Sequence, residues 1–247
     1  LSNPTDKEKQ KINEMIDELN HLDYNLSGII CNNYAPKDTS DIQKNERAFY
    51  TRENALIIDT IRENISNYET KYHPYLLAPL LVSASIHANT SGVFKGFHKK
   101  NGIGHFGGKN EVNTHSRITK KIILDKPIFS DQGHCCNVFI YKNDINQLID
   151  QIPPIDVAYF DPPYNQHPYG SNYFMLNTIL KNEMEEEKSS VSGIPKKWKR
   201  STYNYQKSAL QSMQHLISTI KAKYIIMSYN NEGIISEKEI IQLIHSL

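Results

Sequence analysis

The residues best placed to do chemistry follow the apolar run "VAYF", where Asp161, Pro162, Pro163 and Tyr164 stand in succession. Two consecutive prolines fix two φ angles and remove two amide donors, so the turn is stiff and its carbonyl groups lack their usual partners. The turn therefore holds a carboxylate, a carbonyl and an aromatic ring around one position. Such stiffness is expected where a bound group must be oriented.

The chemistry that fits this turn is modification of an exocyclic amine on a nucleic-acid base. Such an amine is a poor nucleophile because its lone pair is delocalised into the ring. Two acceptors that take both N–H bonds favour a pyramidal nitrogen, and the Asp161 carboxylate and the Pro162 carbonyl can supply them. Tyr164 offers a face on which the base can stack. A paired base must first leave the double helix.

Helical periodicity predicts three helices before residue 95. The first carries a capping box, Thr5 with Glu8, and buries Ile12, Met15 and the apolar positions after them. The second and third are predicted from "TRENALIIDTIRENI" and from "YLLAPLLVSASIHAN", the latter bent at Pro79. The stretch "SGIICNNYAP" fits either a short strand or a buried connection.

Three apolar runs predict buried parallel strands: "NVFIYKND", "IDVAYFDPPY" and "KYIIMSYNNEG". In doubly wound sheets, ligands bind at the carboxyl ends of such strands. Asp144, Asp161 and Ser228–Asn230 fall at these ends. We therefore expect an α/β protein whose site includes these residues, with Ser228–Asn230 either lining the site or only capping a strand.

Two basic segments predict contact with DNA. Between residues 95 and 121 one acid, Glu111, accompanies Lys95, Lys99, Lys100, Lys109, Arg117, Lys120 and Lys121. The segment "KKWKRS" adds Lys196, Lys197, Lys199 and Arg200. We interpret both as phosphate-binding and sequence-reading loops; the alternative is that they are solvated charged surfaces.

Composition sets broad limits on the protein class. The net charge is +1, with 38% hydrophobic and 22% charged residues, so any nucleic-acid surface must be local. Three cysteines, Cys31, Cys135 and Cys136, are too few for a disulfide framework and lack zinc-ligand spacing. The longest apolar stretch is too short to cross a bilayer. These features predict a cytoplasmic protein without a membrane partner and without a metal.

Beyond the "DPPY" turn, the stretches "FYTRENALIIDTIR", "SASIHANTSGVF" and "YIIMSYNNEGIIS" resemble the Dam-like (alpha-group) adenine-specific DNA methyltransferases of restriction-modification systems. The resemblance runs from about Gly28 to Gly233. It implies a Rossmann-like, S-adenosylmethionine-dependent core with an inserted target-recognition segment, acting on double-stranded DNA beside a cognate restriction endonuclease.

Site residues carry over from this resemblance one by one. Asp161, Pro162 and Tyr164 are expected to hold the target adenine, while Phe160 and Pro163 support the turn. Asp144, Phe160 and Asp161 are expected to contact the cofactor. Tyr173, together with Phe174, either lines the target-base pocket or belongs to the core.

The family's aromatic-x-Gly-x-Gly cofactor turn is not found in this sequence. The segment "GIGHFG", Gly102 to Gly107, matches G-x-G-x-x-G, but no strand is predicted before it and no helix after it. We therefore interpret it as a flexible recognition loop. The chain is therefore expected to be a fragment, a sequence that lacks its amino-terminal part, or one subunit of a split enzyme whose cofactor turn a second polypeptide supplies. In each case the isolated chain is expected to bind S-adenosylmethionine weakly.

The predicted organisation has three parts. Residues 1–94 form a helical part and the first portion of the core, 95–136 form the recognition insertion, and 137–247 form the catalytic α/β core. Three alternatives remain: a non-catalytic DNA-binding or split subunit, a cytosine-amine methyltransferase, and an enzyme acting on RNA.

Overall fold

The computed structural model describes residues 4–107, 111–129, 137–184 and 187–246. It is a mixed α/β structure of two compact units: residues 1–133 with 172–197 form the first, and residues 134–171 with 198–247 form the second. The chain therefore enters the second unit, returns to the first, and enters the second again. Lys109, Cys135 and Cys136 lie outside the described residues.

Helices outnumber strands along the described chain. In chain order the elements are α1 (Asp6–Asn20), α2 (Ile29–Tyr34), α3 (Arg52–Ile65), α4 (His73–Ile86), β1 (Lys99–Lys100), β2 (Ile103–Gly104), α5 (Glu111–Thr119), α6 (Ile145–Leu148), β3 (Ile155–Phe160), α7 (Tyr169–Asn172), α8 (Phe174–Lys181), α9 (Ala209–Thr219), β4 (Ala222–Met227) and α10 (Glu237–His245). Short 3₁₀ turns lie at Thr70–Tyr72, Ile149–Gln151 and Thr202–Asn204. Within the described ranges, no helix is long and apolar enough to span a membrane.

The three helices predicted from periodicity are confirmed. The Thr5 hydroxyl accepts the Glu8 amide, and the Glu8 carboxylate accepts the Thr5 amide, so the predicted capping box starts α1. Thr51 caps α3 in the same way by accepting the Asn54 amide. Pro79 lies inside α4.

The first unit is centred on aromatic side chains from distant parts of the sequence. Tyr34 and Phe49 are fully buried, with ring centroids 5.9 Å apart. Phe174 packs on both, at 5.7 and 6.1 Å. Of the two roles considered for Phe174, the core role is confirmed.

The stretch whose structure was left open, "SGIICNNYAP", forms α2, and Asp59 holds its amino terminus. The Asp59 carboxylate accepts amides from Gly28, Ile30 and Cys31, at 3.0, 2.9 and 2.7 Å. Asp59 is 4% exposed. Burial raises the pKa of its carboxyl, and the three amide donors and Arg52 act in the opposite direction. A side chain at residue 28 would collide with this carboxylate, since an added Cβ would lie 2.8 Å from Asp59 Cγ.

The second unit contains the two strands that follow the predicted pattern. β3 and β4 are parallel, and their register pairs Ile155 with Ala222 and Phe160 with Met227. A core of buried side chains surrounds them on the helical side: Ile149, Tyr203, Met213, Leu216, Ile235 and Leu243. The predictions that "IDVAYF" and "KYIIM" form parallel strands are therefore confirmed. Their predicted burial is wrong: Val157, Tyr159 and Tyr224 are 52%, 63% and 69% exposed, because the helical core covers only one face of the pair.

The third predicted strand, in "NVFIYKND", is wrong. Residues 137–144 have no regular structure. Val138, Phe139 and Ile140 are 73%, 74% and 87% exposed, and no neighbour within the described ranges pairs with this backbone. An apolar β-branched segment forms a strand when a neighbouring strand bonds its backbone and other side chains cover one of its faces. Within the described chain, residues 137–144 have neither partner.

Candidate functional site

The turn predicted to be catalytic follows β3 at the carboxyl edge of the parallel pair. Beyond the last paired residues, the Ser228 amide donates to the Phe160 carbonyl at 2.9 Å. This bond holds the two strand ends side by side, so Asp161 and the segment that starts at Ser228 emerge at one edge. Ser228–Asn230 were predicted either to line the site or only to cap a strand. The Ser228 backbone makes a contact of the second kind, at the end of β3.

Backbone contacts fix the downstream end of the turn. The Tyr164 carbonyl accepts the Ile234 amide at 2.8 Å. The next carbonyl, that of Asn165, accepts the Asn204 side-chain amide at 2.7 Å. The Asn165 side chain in turn accepts the His167 amide at 2.9 Å. Hydrogen bonds thus hold the turn at both ends, and none of them uses the Asp161 carboxylate or the Pro162 carbonyl.

Neither of the two predicted acceptors, the Asp161 carboxylate and the Pro162 carbonyl, has a hydrogen-bond donor within the described part of the chain. Prolines at 162 and 163 have no amide to close a bond within the turn. Asp161 is exposed, Pro162 is buried, and the Tyr164 side chain is 40% exposed. The carboxylate and the ring therefore face solvent on a fixed backbone.

A cavity of about 730 Å³ lies beside the turn and brings the predicted cofactor residues together. Asp144, Phe160 and Asp161 all line it. Asp144 also caps α6 by accepting the Asn146 amide at 2.9 Å. Much of the remaining wall is apolar, and includes Ile145, Ile149, Val157 and Leu216. A cavity with an apolar wall and acidic groups in its lining suits a nucleoside, which has flat faces and polar edges.

Several residues at this site were not predicted from the sequence. Asn143 and Tyr203 line the cavity, and Asn204 holds the turn. Burial raises the pKa of Tyr203 to about 12, so its hydroxyl stays protonated at neutral pH and donates to the Ser212 carbonyl at 3.0 Å. A partial signal existed in the sequence, since "RSTYNY" is polar and aromatic and lies beside a basic run, but only the fold brings it to the turn.

The basic segment "KKWKRS" is divided between the two units. Lys199 and Arg200 line the same cavity as Asp161, and the Arg200 guanidinium lies 5.9 Å from the Tyr205 ring. Lys196 and Lys197 belong to the first unit. Lys197 is exposed and pairs with Glu187 at 2.9 Å. Two of the four cations are therefore part of the candidate site.

The other predicted DNA-binding segment begins with an antiparallel hairpin. Lys99 pairs with Gly104 across it, and positive φ angles at Asn101 and Gly102 form its turn. Lys99 and Lys100 are exposed, and the Lys99 ammonium lies 4.9 Å from the Phe97 ring. The hairpin base is fixed by Asn89, whose side-chain amide donates to the carbonyls of Ala48 and His105 at 2.8 and 2.9 Å.

The context assumed for "GIGHFG" needs a correction. A strand, β1, precedes it and a helix, α5, follows it, contrary to the sequence expectation. The strands on either side of its first glycine are antiparallel, however, whereas a dinucleotide-binding turn joins a strand to a helix within a parallel unit. The reason for rejecting "GIGHFG" as a cofactor loop is therefore this hairpin geometry.

The remaining predicted site residues lie in the first unit. The Arg117 guanidinium donates to the carbonyls of Ile86 and Ala88, so its donors serve the carboxyl end of α4. Lys120 is exposed. Tyr173 precedes α8 and is 36% exposed. Roles for these three residues in DNA or base binding stay predictions.

Within the described ranges, no cluster of three or more His, Cys, Asp or Glu side chains could hold a metal ion. The predicted cofactor residues lie together in the lining of the 730 Å³ cavity, and the predicted DNA-binding cations lie in that lining and on the hairpin.

Comparison with known proteins gives one family. The D12 class N6 adenine-specific DNA methyltransferases match residues 9–243. The chain is 29% identical to the type II methyltransferase M.CviAII of Paramecium bursaria Chlorella virus 1, over 99% of this chain and 68% of that protein. It is 32% identical to the type II methyltransferase M.NlaIII of Neisseria lactamica, over 80% of this chain and 56% of that protein.

A third relative, the modification methylase StsI of Streptococcus sanguinis, is 32% identical over 81% of this chain and 29% of that protein. The chain thus spans from 29% to 68% of the length of these relatives. No solved structure matches it.

Proposed function

Because this chain belongs to the D12 class of N6 adenine-specific DNA methyltransferases, we propose that it methylates the exocyclic 6-amino group of adenine in a short DNA sequence. The methyl donor is S-adenosylmethionine, and the protein works within a restriction-modification system with a cognate endonuclease. The observation that carries the proposal is the stiff turn after β3, whose two acceptors have no partner among the described residues.

The turn activates the amine by holding both of its N–H bonds. The Asp161 carboxylate accepts one and the Pro162 carbonyl accepts the other, which favours a pyramidal nitrogen with its lone pair directed away from the ring. S-adenosylmethionine, when bound, supplies an electrophilic methyl group. Asp161 also stabilises the positive charge that develops on the nitrogen, until the amine proton passes to solvent water at this exposed carboxylate. Because β3 and the prolines fix the acceptors beforehand, little reorganisation is needed during the reaction.

The cavity lined by Asp144, Phe160 and Asp161 is the proposed cofactor site. Its apolar wall suits the adenine ring, and Asp144 in its lining suits a polar edge of the nucleoside. We propose that β3 and β4 belong to a Rossmann-like core, and that residues 95–136 form an inserted recognition segment. The parallel pairing of the two strands, and a cavity that runs along β3 to the turn at Asp161, support the assignment of these strands to such a core.

Tyr164 is proposed to stack on the extruded adenine. Its ring is 40% exposed and its backbone is fixed by the Ile234 amide. Tyr164→Ala is expected to weaken retention of the base by roughly 1–3 kcal/mol, the usual contribution of aromatic stacking. Tyr164→Phe keeps the ring and is expected to retain most of the activity. Fluorescence of 2-aminopurine at the target position measures extrusion; equal signals from the two variants would contradict a stacking role.

The hairpin lysines are proposed to bind DNA phosphates. Lys99→Ala with Lys100→Ala is expected to weaken DNA binding and to flatten the slope of log K against log salt by up to about 2, because each phosphate contact releases counterions. Lys7→Ala with Lys44→Ala, which removes two exposed lysines elsewhere in the same unit, is the matched control. A salt slope that is equal in the two double variants would identify the hairpin as a solvated surface.

Product analysis tests the proposed reaction. The full-length protein is incubated with duplex DNA and S-adenosylmethionine labelled in the methyl group, and the DNA is digested to nucleosides. Label in N6-methyladenine supports the proposal. Label in N4-methylcytosine would replace it with the cytosine alternative, and label that appears only with RNA would replace the substrate.

A further inference from the structure

One buried amide side chain connects the candidate catalytic turn to the segment that carries two cations of the cavity. Asn204 ends the 3₁₀ turn Thr202–Asn204 and is 3% exposed. It follows Lys199 and Arg200 closely in the sequence, and both of these line the cavity with Asp161. A buried polar side chain is stable only when its donors and acceptors are satisfied, so the partners of Asn204 define its role.

The two ends of this amide have different partners. Its oxygen accepts the Ser201 amide at 3.0 Å, and its nitrogen donates to the Asn165 carbonyl at 2.7 Å. Each partner can act in only one sense, because a backbone N–H only donates and a backbone C=O only accepts. The orientation of the amide is therefore fixed, and neither an acid nor an alkyl side chain could make both bonds.

The bond to Asn165 acts directly on the catalytic turn. Upstream, the turn is held by β3 and by the Ser228 amide on the Phe160 carbonyl. Downstream, two bonds hold it: the Ile234 amide on the Tyr164 carbonyl and the Asn204 amide on the Asn165 carbonyl. Because Pro162 and Pro163 remove backbone freedom, a shift of the Asn165 carbonyl is transmitted to the Pro162 carbonyl and to the Tyr164 ring.

We propose that Asn204 is a positioning residue for methyl transfer, which holds the Asp161–Tyr164 turn and the Lys199–Arg200 segment in one fixed geometry. This inference rests on the proposed function. Asn204 does not touch the amine or the methyl donor; it acts through the carbonyl of Asn165 and the amide of Ser201. The arrangement couples two cations suited to the phosphate beside the target base with the acceptors that orient its amine.

The test separates the bond to the catalytic turn from the local stability of the 3₁₀ turn. Asn204→Asp keeps an oxygen for the Ser201 amide but sets a carboxylate against the Asn165 carbonyl. Ser208→Ala is the matched control, because it removes a hydroxyl that donates to the Thr202 carbonyl of the same 3₁₀ turn at 2.7 Å, lies outside the cavity lining and leaves the Asn204 bonds in place. kcat, KM for DNA, melting temperature and hydrogen exchange of the peptide 160–170 are measured for the full-length protein and both variants.

We expect kcat to fall roughly 10- to 100-fold in Asn204→Asp, since misplacement of reacting groups by about 1 Å has effects of this size. Exchange in the peptide 160–170 is expected to become faster. In Ser208→Ala, kcat is expected to stay within about twofold of the parent and only the melting temperature to fall, because this hydrogen bond contributes to local stability alone. If Asn204→Asp does not fold, Asn204→Gln, which displaces both groups by one methylene, carries the same expectation.

Parental kcat or parental exchange in a folded Asn204 variant would overturn the inference. Equal loss of kcat in Ser208→Ala would also overturn it, by showing that the local stability of the 3₁₀ turn alone matters. The exchange measurement does not need activity. A parent that fails to methylate adenine, but whose turn is loosened by Asn204→Asp, would therefore refute the proposed function and leave the contact itself intact.

Discussion

Asp161→Ala is expected to lower the rate of methyl transfer roughly a hundred- to a thousandfold, the usual effect of removing one preorganised hydrogen-bond partner of a transition state. The variant leaves the Pro162 carbonyl as the only acceptor for the amine, so the nitrogen is no longer held pyramidal. The fold is expected to persist, because Asp161 is exposed and forms no bond with the described residues. Incorporation of labelled methyl groups into duplex DNA measures the rate.

Asp156→Ala is the matched control for this variant. Asp156 lies on the same strand, is exposed, and pairs only at the surface with Lys223, at 2.6 Å. Removing an exposed ion pair changes stability little, and this pair does not belong to the cavity beside the turn. The control is expected to methylate at the parental rate. Near-parental methylation by Asp161→Ala would show that the turn is not catalytic.

Asp59→Ala is expected to lower the free energy of unfolding of the first unit by about 3 kcal/mol or more. The substitution leaves the amides of Gly28, Ile30 and Cys31 without the carboxylate that accepts them. An unsatisfied buried donor typically costs about 1–3 kcal/mol, and water can reach only part of this site. Urea denaturation, followed by far-ultraviolet circular dichroism, measures the change.

Asp17→Ala is the matched control, because it removes an exposed carboxylate from the same unit. Asp17 is 53% exposed and pairs with Lys126 at 2.6 Å, and such surface pairs contribute at most about 1 kcal/mol. A loss in Asp59→Ala no larger than that in Asp17→Ala would mean that the amino terminus of α2 is satisfied by water, and that the carboxylate is dispensable.

Local signals in the sequence predicted the elements that they determine. The capping box of Thr5 and the 3.6-residue periodicity after it specify α1 without help from distant residues. The apolar run that ends in Asp161 specified both β3 and the turn, because two prolines define their own backbone. The geometry of the turn, from which its chemistry is proposed, was therefore accessible from four consecutive residues.

The features that failed or were missed depend on distant partners. Residues 138–141 have strong strand propensity, yet no neighbour in the described chain pairs with them. Asn204 contacts the turn only after the backbone has brought residues 165 and 204 together. The hairpin at Lys99 depends on Asn89, whose amide reaches back to the Ala48 carbonyl. No window of local periodicity contains such pairs, so propensity alone could not identify them.

The interleaved course of the chain through the two units sets the order in which the protein can fold during synthesis. Tyr34 and Phe49 leave the ribosome early, but Phe174, which packs on both, follows only after β3 has been made. β3 in turn waits for Ala222 and the rest of β4 before its edge is paired. The first unit thus completes its core only after part of the second has been made, and the second unit only after the first is complete in sequence. Such long-range closure slows folding and leaves the backbone edge of β3 unpaired, and so open to chaperones or to aggregation, while the chain is incomplete.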